Sequence, residues 1–261
     1  MIFNRIYAMI LRYIYNFRHS YDRIADSFYW PAMDLLLWGL TGYYFASINK
    51  NAESAVTVVI TGMVFWILIW RAQYEITINL LTELWDKNLI NLFGSPLKFS
   101  EWLISVMLVG ILKGLMSFFF AAGVAYLLYH INIFAIGWYL PVFVILLIIN
   151  GWSIGCIVAS ILFRYGSKIQ TLAWSFVWII APFAAVYYPT DILPKWAQLI
   201  AKTLPASYVF EQLRSLLLIH TIHMEQLFIC FLLDMFYLAI GLILITKSFT
   251  AVRKRGLAKL Y

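Results

Sequence analysis

Four ionisable side chains, Asp34, Arg71, Lys113 and Asp234, stand inside stretches that are otherwise almost free of charge. A charge at bilayer depth is costly, and it ordinarily faces a bundle interior and meets a partner. Helical rise places Lys113 and Asp234 at similar depth, and Asp34 and Arg71 at another. Two cross-span pairs are therefore expected, Lys113–Asp234 and Asp34–Arg71, with Glu75 competing for Arg71 from one turn away. Gly151-Trp152-Ser153-Ile154-Gly155 spells the G-x-S-x-G of serine hydrolases. That elbow needs a strand-turn-helix setting and a histidine base. Here it lies in an apolar run, and His19, His130, His220 and His223 all fall outside such runs. His220 and His223, near Glu225, offer only loose metal ligands, and an external polar turn is the expected reading. No G-x-x-x-x-G-K-[ST] occurs, so the chain has no phosphate-cradling loop of its own.

The elements that carry these residues are long and apolar. Pro141 to Phe163 contains no charge at all, and about 20 apolar residues in a helix cross a hydrocarbon core of about 30 Å. Six spans are predicted, at about 28–48, 55–78, 102–129, 139–163, 169–188 and 226–247. The fold class expected is an all-α integral membrane protein, a single domain over residues 1–261. Composition agrees: 64% of residues are hydrophobic and 12% charged, against about 25% charged in soluble domains, and the mean hydropathy is +0.85. The net charge of +7 does not point to nucleic acid, because the charges sit in loops and tails. Cys156 and Cys230 lie within spans and read as small buried hydrophobes rather than a disulfide.

Positive charge orients the spans. Arg5, Arg12, Arg18, Arg23, Lys87, Lys98, Arg164, Lys168, Lys247, Arg253, Lys254, Arg255 and Lys259 fall on one side, and only Lys50, Lys195, Lys202 and Arg214 on the other. Both termini are expected in the cytoplasm, with the protein multi-pass in the plasma (inner) membrane. Residues 1–25 mix arginines with Ile2, Ile6, Ile10, Ile14 and Phe17. Arg5, Arg12 and His19 recur at sevens opposite an apolar face, the pattern of a helix lying in the membrane interface rather than a cleavable signal.

Two connections are long. Residues 79–101 alternate Leu80, Leu84, Leu89 and Leu92 with Glu83, Asp86, Lys87 and Asn91, which predicts a short amphipathic cytoplasmic helix. Gly94 then permits a left-handed cap, Pro96 stops the ladder, and Ser100 caps the next helix at Glu101. Residues 189–225 are external but greasy. Pro189, Pro194 and Pro205 divide them into Lys195–Thr203 and Ser207–His220, two short helices expected to dip back into the outer leaflet. Gly110-x-x-x-Gly114 and Gly151-x-x-x-Gly155 predict close helix contacts, within one subunit or at a dimer seam. Trp38 and Tyr43, in an aromatic-rich first span, are candidates to line a path for sugars or acyl chains.

These features together resemble the permease family of ABC-2 type exporters. The resemblance rests on the N-terminal amphipathic helix, on "NLINLFGSPLKFSEWL" within and beside Glu83 to Trp102, and on "LPKWAQLIAKTLPASYVFEQLRSLL" from Leu193 to Leu217. It implies a permease that pairs with a second copy and docks an ABC-type ATPase, which would hold ATP and magnesium. This chain would itself hold no cofactor and would not be an enzyme. Glu83, Leu84, Asp86, Lys87, Leu89 and Leu92 would form the coupling helix, and charge reversal at Glu83 would uncouple ATP hydrolysis from export without harming the fold. Lipid-linked polysaccharides, lipids, drugs and other amphiphiles are the substrate classes implied. An ion-coupled secondary transporter is the alternative, with Lys113 and Asp234 as its relay.

Overall fold

A computed structural model describes residues 2–48 and 53–256. Lys50, Lys259 and most of the 49–54 connection lie outside the described residues. Those described are helical, with no strand among them: α1 (Ile2–Arg18), α2 (Tyr21–Ile48), α3 (Glu53–Trp85), α4 (Leu89–Gly94), α5 (Phe99–Tyr129), α6 (Leu140–Tyr165), α7 (Leu172–Ile180), α8 (Lys195–Thr203), α9 (Pro205–Ile219) and α10 (Met224–Arg255). Four helical stretches, at 54–85, 99–129, 133–169 and 224–255, are long and apolar enough to cross a membrane. α2 is 28 residues long but is not among the four.

α3 is the centre. α5 and α6 pack along it, α10 packs along α6, and α1 and α2 lie against α5. Both G-x-x-x-G motifs are used here. A Cβ at Gly151 would stand 2.6 Å from the Ile69 carbonyl oxygen, and one at Gly155 would stand 3.1 Å from that of Gln73. α6 thus approaches α3 at backbone contact, which only glycine permits. Gly110 and Gly114 face Glu75 and Arg71 on another side of α3 at an ordinary 3.5 Å. Both motifs pack within the chain, and neither is left over for a seam between copies.

The fifth expected span, 169–188, is not one continuous helix. α7 has nine residues, a 3₁₀ turn carries Pro182, and Ala185 is left-handed at φ 59°. Proline's missing N–H and fixed ring end the regular ladder. α3 serves as a ruler for the path. The Ala173 carbonyl accepts from Gln73, and the Val186 carbonyl lies beside Gly62. Eleven residues of α3 separate those levels, about 16 Å of rise, or roughly half of a 30 Å core. α9 fills space between α3, α6 and α10, with Phe210 6.1 Å from Trp66 and the Pro205 carbonyl accepting from the Cys230 thiol at 3.2 Å. α8 matches the helix expected over Lys195–Thr203, and α9 begins at Pro205 and ends at Ile219, close to the bounds Ser207–His220 expected for the second.

The 79–101 connection differs in detail from its expected form. α3 runs on to Trp85 and absorbs Leu80, Glu83 and Leu84. Lys87, not Gly94, takes the left-handed turn at φ 52°. α5 starts at Phe99, so Ser100 lies inside it, and the Glu101 carboxylate reaches back to the Lys98 N–H at 2.8 Å. Charge-assisted acceptance at the first turn does the work expected of Ser100.

Candidate functional site

Two regions gather the chemistry-bearing residues. The first is the elbow between α3 and α5. Glu83 is 1% exposed. Its carboxylate receives Arg12 in an ion pair at 2.7 Å, the Tyr13 hydroxyl at 3.3 Å and the Asn88 amide at 2.6 Å. Tyr13 in turn accepts from the Trp102 indole at 2.8 Å. Burial, and then the Glu83 carboxylate beside it, push the Tyr13 hydroxyl well above the usual phenol range, so it stays a donor. Arg5 donates to the Pro96 carbonyl at 2.7 Å and reaches Glu101 at 3.5 Å. The sevenfold spacing of Arg5 and Arg12 is thus spent on this elbow, which α1 clasps. Leu84, Leu89 and Leu92 are buried beneath it, with Phe93 4.6 Å from Phe249 and Phe99 stacked on the same ring at 4.3 Å. Of the six expected coupling residues only Asp86 and Lys87 are exposed. Beside them stand Trp85 and Ile90, 46% and 45% exposed, and Asn91, also exposed. Sequence reading named Asp86, Lys87 and Asn91 but not Trp85 and Ile90, because a Leu/acid alternation does not tell which face is covered by another part of the chain.

The second region is a lateral groove between α2, α3 and α7. Its part nearer the elbow is a cavity of about 410 Å³ lined by Asp26, Asp34 and Arg71 together with Trp30, Trp66, Trp70, Trp174, Trp178 and Tyr187. The adjoining cavity, about 540 Å³, shares Trp178 and Tyr187 and carries no charged residue among the described residues of its lining. Trp38 lines it, its ring stacked on Tyr187 at 5.3 Å. Tyr43 does not, and its ring sits 5.6 Å from Tyr129 instead. α2 is shaped for this wall by Pro31, which cannot donate to the Ser27 carbonyl. The Ser117 hydroxyl of α5 donates there instead, at 2.9 Å. Gly39 lets the Tyr129 ring lie directly on α2, where its hydroxyl donates to the Leu35 carbonyl at 2.9 Å.

The intramembrane charges pair differently from expectation. Arg71 binds Asp26, at 2.7 Å from its carboxylate and also through the Asp26 carbonyl, rather than Asp34. Lys113 binds Glu75, rather than Asp234. Asp234 is fully buried, accepts from the Asn150 amide at 3.1 Å and lies 3.7 Å from the Cys230 sulfur. The reason is register. α3 continues as helix well past 78, so Glu75 is an interior residue facing α5, while Asp234 faces α6. Ser153 of the G-x-S-x-G donates to the Ile149 carbonyl within α6 at 2.9 Å, with no strand-turn-helix around it. His130 and His220 are left-handed caps of α5 and α9. No group of three or more potential metal ligands occurs among the described residues.

Comparison with known families decides what this arrangement belongs to: the model for ABC-2 type transporters matches residues 6–218. The chain belongs to the ABC-2 type transporter family. The match spans α1 through nearly all of α9, and so includes the elbow and the groove. A search of the curated proteins found no match. The ABC-2 chain is an integral membrane transport protein, a permease of the kind that in general works with an ABC ATPase.

Proposed function

We propose that this chain is the membrane subunit of an ATP-driven exporter, moving an amphipathic or lipid-linked substrate outward. Membership of the ABC-2 family over residues 6–218 carries this reading. Two copies would pair, as a homodimer, in the plasma membrane with both termini cytoplasmic. The basic end, where Arg5, Arg12, Arg253, Lys254 and Arg255 gather, would then face a separate ATPase that binds ATP and magnesium.

In this reading the exposed ridge of Trp85, Asp86, Lys87, Ile90 and Asn91 meets the ATPase. Glu83, Leu84, Leu89 and Leu92 make the ridge stiff rather than touch the partner. A push on the ridge is passed to α3 and α5 directly, because the elbow joins both, and to α1 through Arg12 and Arg5. The groove is the stretch of path that one subunit supplies: rings for an apolar tail, and a charged end at Asp26, Asp34 and Arg71. The test is mass spectrometry of proteins that copurify with the tagged chain from gently solubilised membranes. A stoichiometric ATPase subunit is expected; its absence after crosslinking would overturn the reading.

A further inference from the structure

We propose that the groove cavity beside Asp34 is a binding site for a cationic headgroup, so that the transported amphiphile carries a positive charge. This deepens the export reading and rests on it for the word transported; the binding itself does not. Three observations converge. First, the cavity wall is unusually rich in indoles: Trp30, Trp66, Trp70, Trp174 and Trp178. Indole faces attract cations, most strongly where water is excluded. The chain already uses one so, since the Arg71 guanidinium lies 6.0 Å from the Trp70 ring centre. Second, the charge does not balance. Arg71 is neutralised by Asp26, and among the described residues Asp34 has neither an ion pair nor a hydrogen bond. One carboxylate is therefore left without a counter-charge at a depth where a partner is the rule. Third, the chain has little else to offer it. Among the described residues the buried cations Arg71, Lys113 and Arg214 are all taken, by Asp26, Glu75 and Glu211, so a second copy seated on this face would bring none of them. At about 410 Å³ the space is that of a small-molecule site, where a few placed polar groups orient an otherwise apolar ligand.

The probe is a matched pair of ions, tetraphenylphosphonium and tetraphenylborate, alike in shape and opposite in charge. Each is titrated in radiolabelled form onto the full chain in lipid nanodiscs, over empty discs, with no ATPase and no ATP. Saturable binding of the phosphonium at least tenfold tighter than of the borate is expected. Asp34→Asn should weaken it by tenfold or more, and Asp34→Glu should retain most of it. Equal binding of the two ions by the unaltered chain, or an Asp34→Asn protein that elutes normally and binds as well, would overturn the proposal. Because no ATPase is present, the two readings fail separately. Lack of an ATPase partner fells export and leaves binding standing. An ATPase-coupled exporter whose permease ignores the cation fells this inference alone.

Discussion

Lys113 and Glu75 neutralise one another inside the bundle, at 7% and 1% exposure. Removing one member of such a pair strands the other charge and costs about 3–5 kcal/mol, whereas replacing both by apolar groups of similar volume is often neutral. Lys113→Met is therefore expected to lower the yield and melting temperature of purified protein, and Lys113→Met with Glu75→Leu to restore both. A swap, Lys113→Glu with Glu75→Lys, should also recover stability in a thermal-shift measurement. Lys113→Asp with Asp234→Lys should not, because Asp234 answers to Asn150 and Cys230. The sequence singled out the right interior charges and mispaired them. Depth along a helix follows from counting residues, but the facing neighbour depends on which helices cross, and nothing in a single span states that. Glu75 was named only as a rival for Arg71 within its own helix, whereas it pairs with Lys113 of α5; Asp26, the partner of Arg71, lay just before the expected start of the first span at 28 and was not considered.

At the scale of elements, the α3–α6 seam is the most demanding contact. A methyl at Gly151 meets both the Ile69 carbonyl oxygen and the Ala72 Cβ at 2.6 Å, and overpacking of this kind costs about 1–3 kcal/mol. Gly151→Ala should shift the unfolding midpoint downward, and Gly114→Ala, with 3.5 Å of room, should be near neutral by the same assay. The clasp of α1 on the elbow predicts a different readout. Arg12→Ala leaves the Glu83 carboxylate buried without its cation, so amide exchange across α1 and α4 should quicken while the core of α6 stays protected. Glu83→Lys, expected from sequence to be a clean uncoupler, should instead damage this knot of Arg12, Tyr13 and Asn88. The short helices α8 and α9 were legible because prolines bracket them. The break after α7 was not, since Ile179 to Val186 is apolar throughout and only Pro182 hints that the ladder stops.

At the scale of the whole molecule, the ridge on the elbow and the groove on the flank are separate surfaces, which makes their roles separable. Asp86→Lys with Lys87→Glu preserves the net charge and disturbs no buried group. It should abolish ATPase copurification while leaving the elution profile and phosphonium binding as they were. Loss of both together would mean that the ridge substitutions had spread into the fold. The six-span outline came from apolar length alone; the short path of α7 along α3 and the seating of α9 between α3, α6 and α10 came from tertiary packing, which composition does not encode. The glycine seams have a mechanical consequence. α3, α5 and α6 are joined by close packing along α3, at backbone distance on its α6 side, so the trio is expected to move as one body. α2 has a gap in its own ladder at Pro31, bridged only by a serine hydroxyl from α5. Bending of α2 is thus expected at Pro31, at the level of the groove, where one backbone hydrogen bond of its ladder is missing.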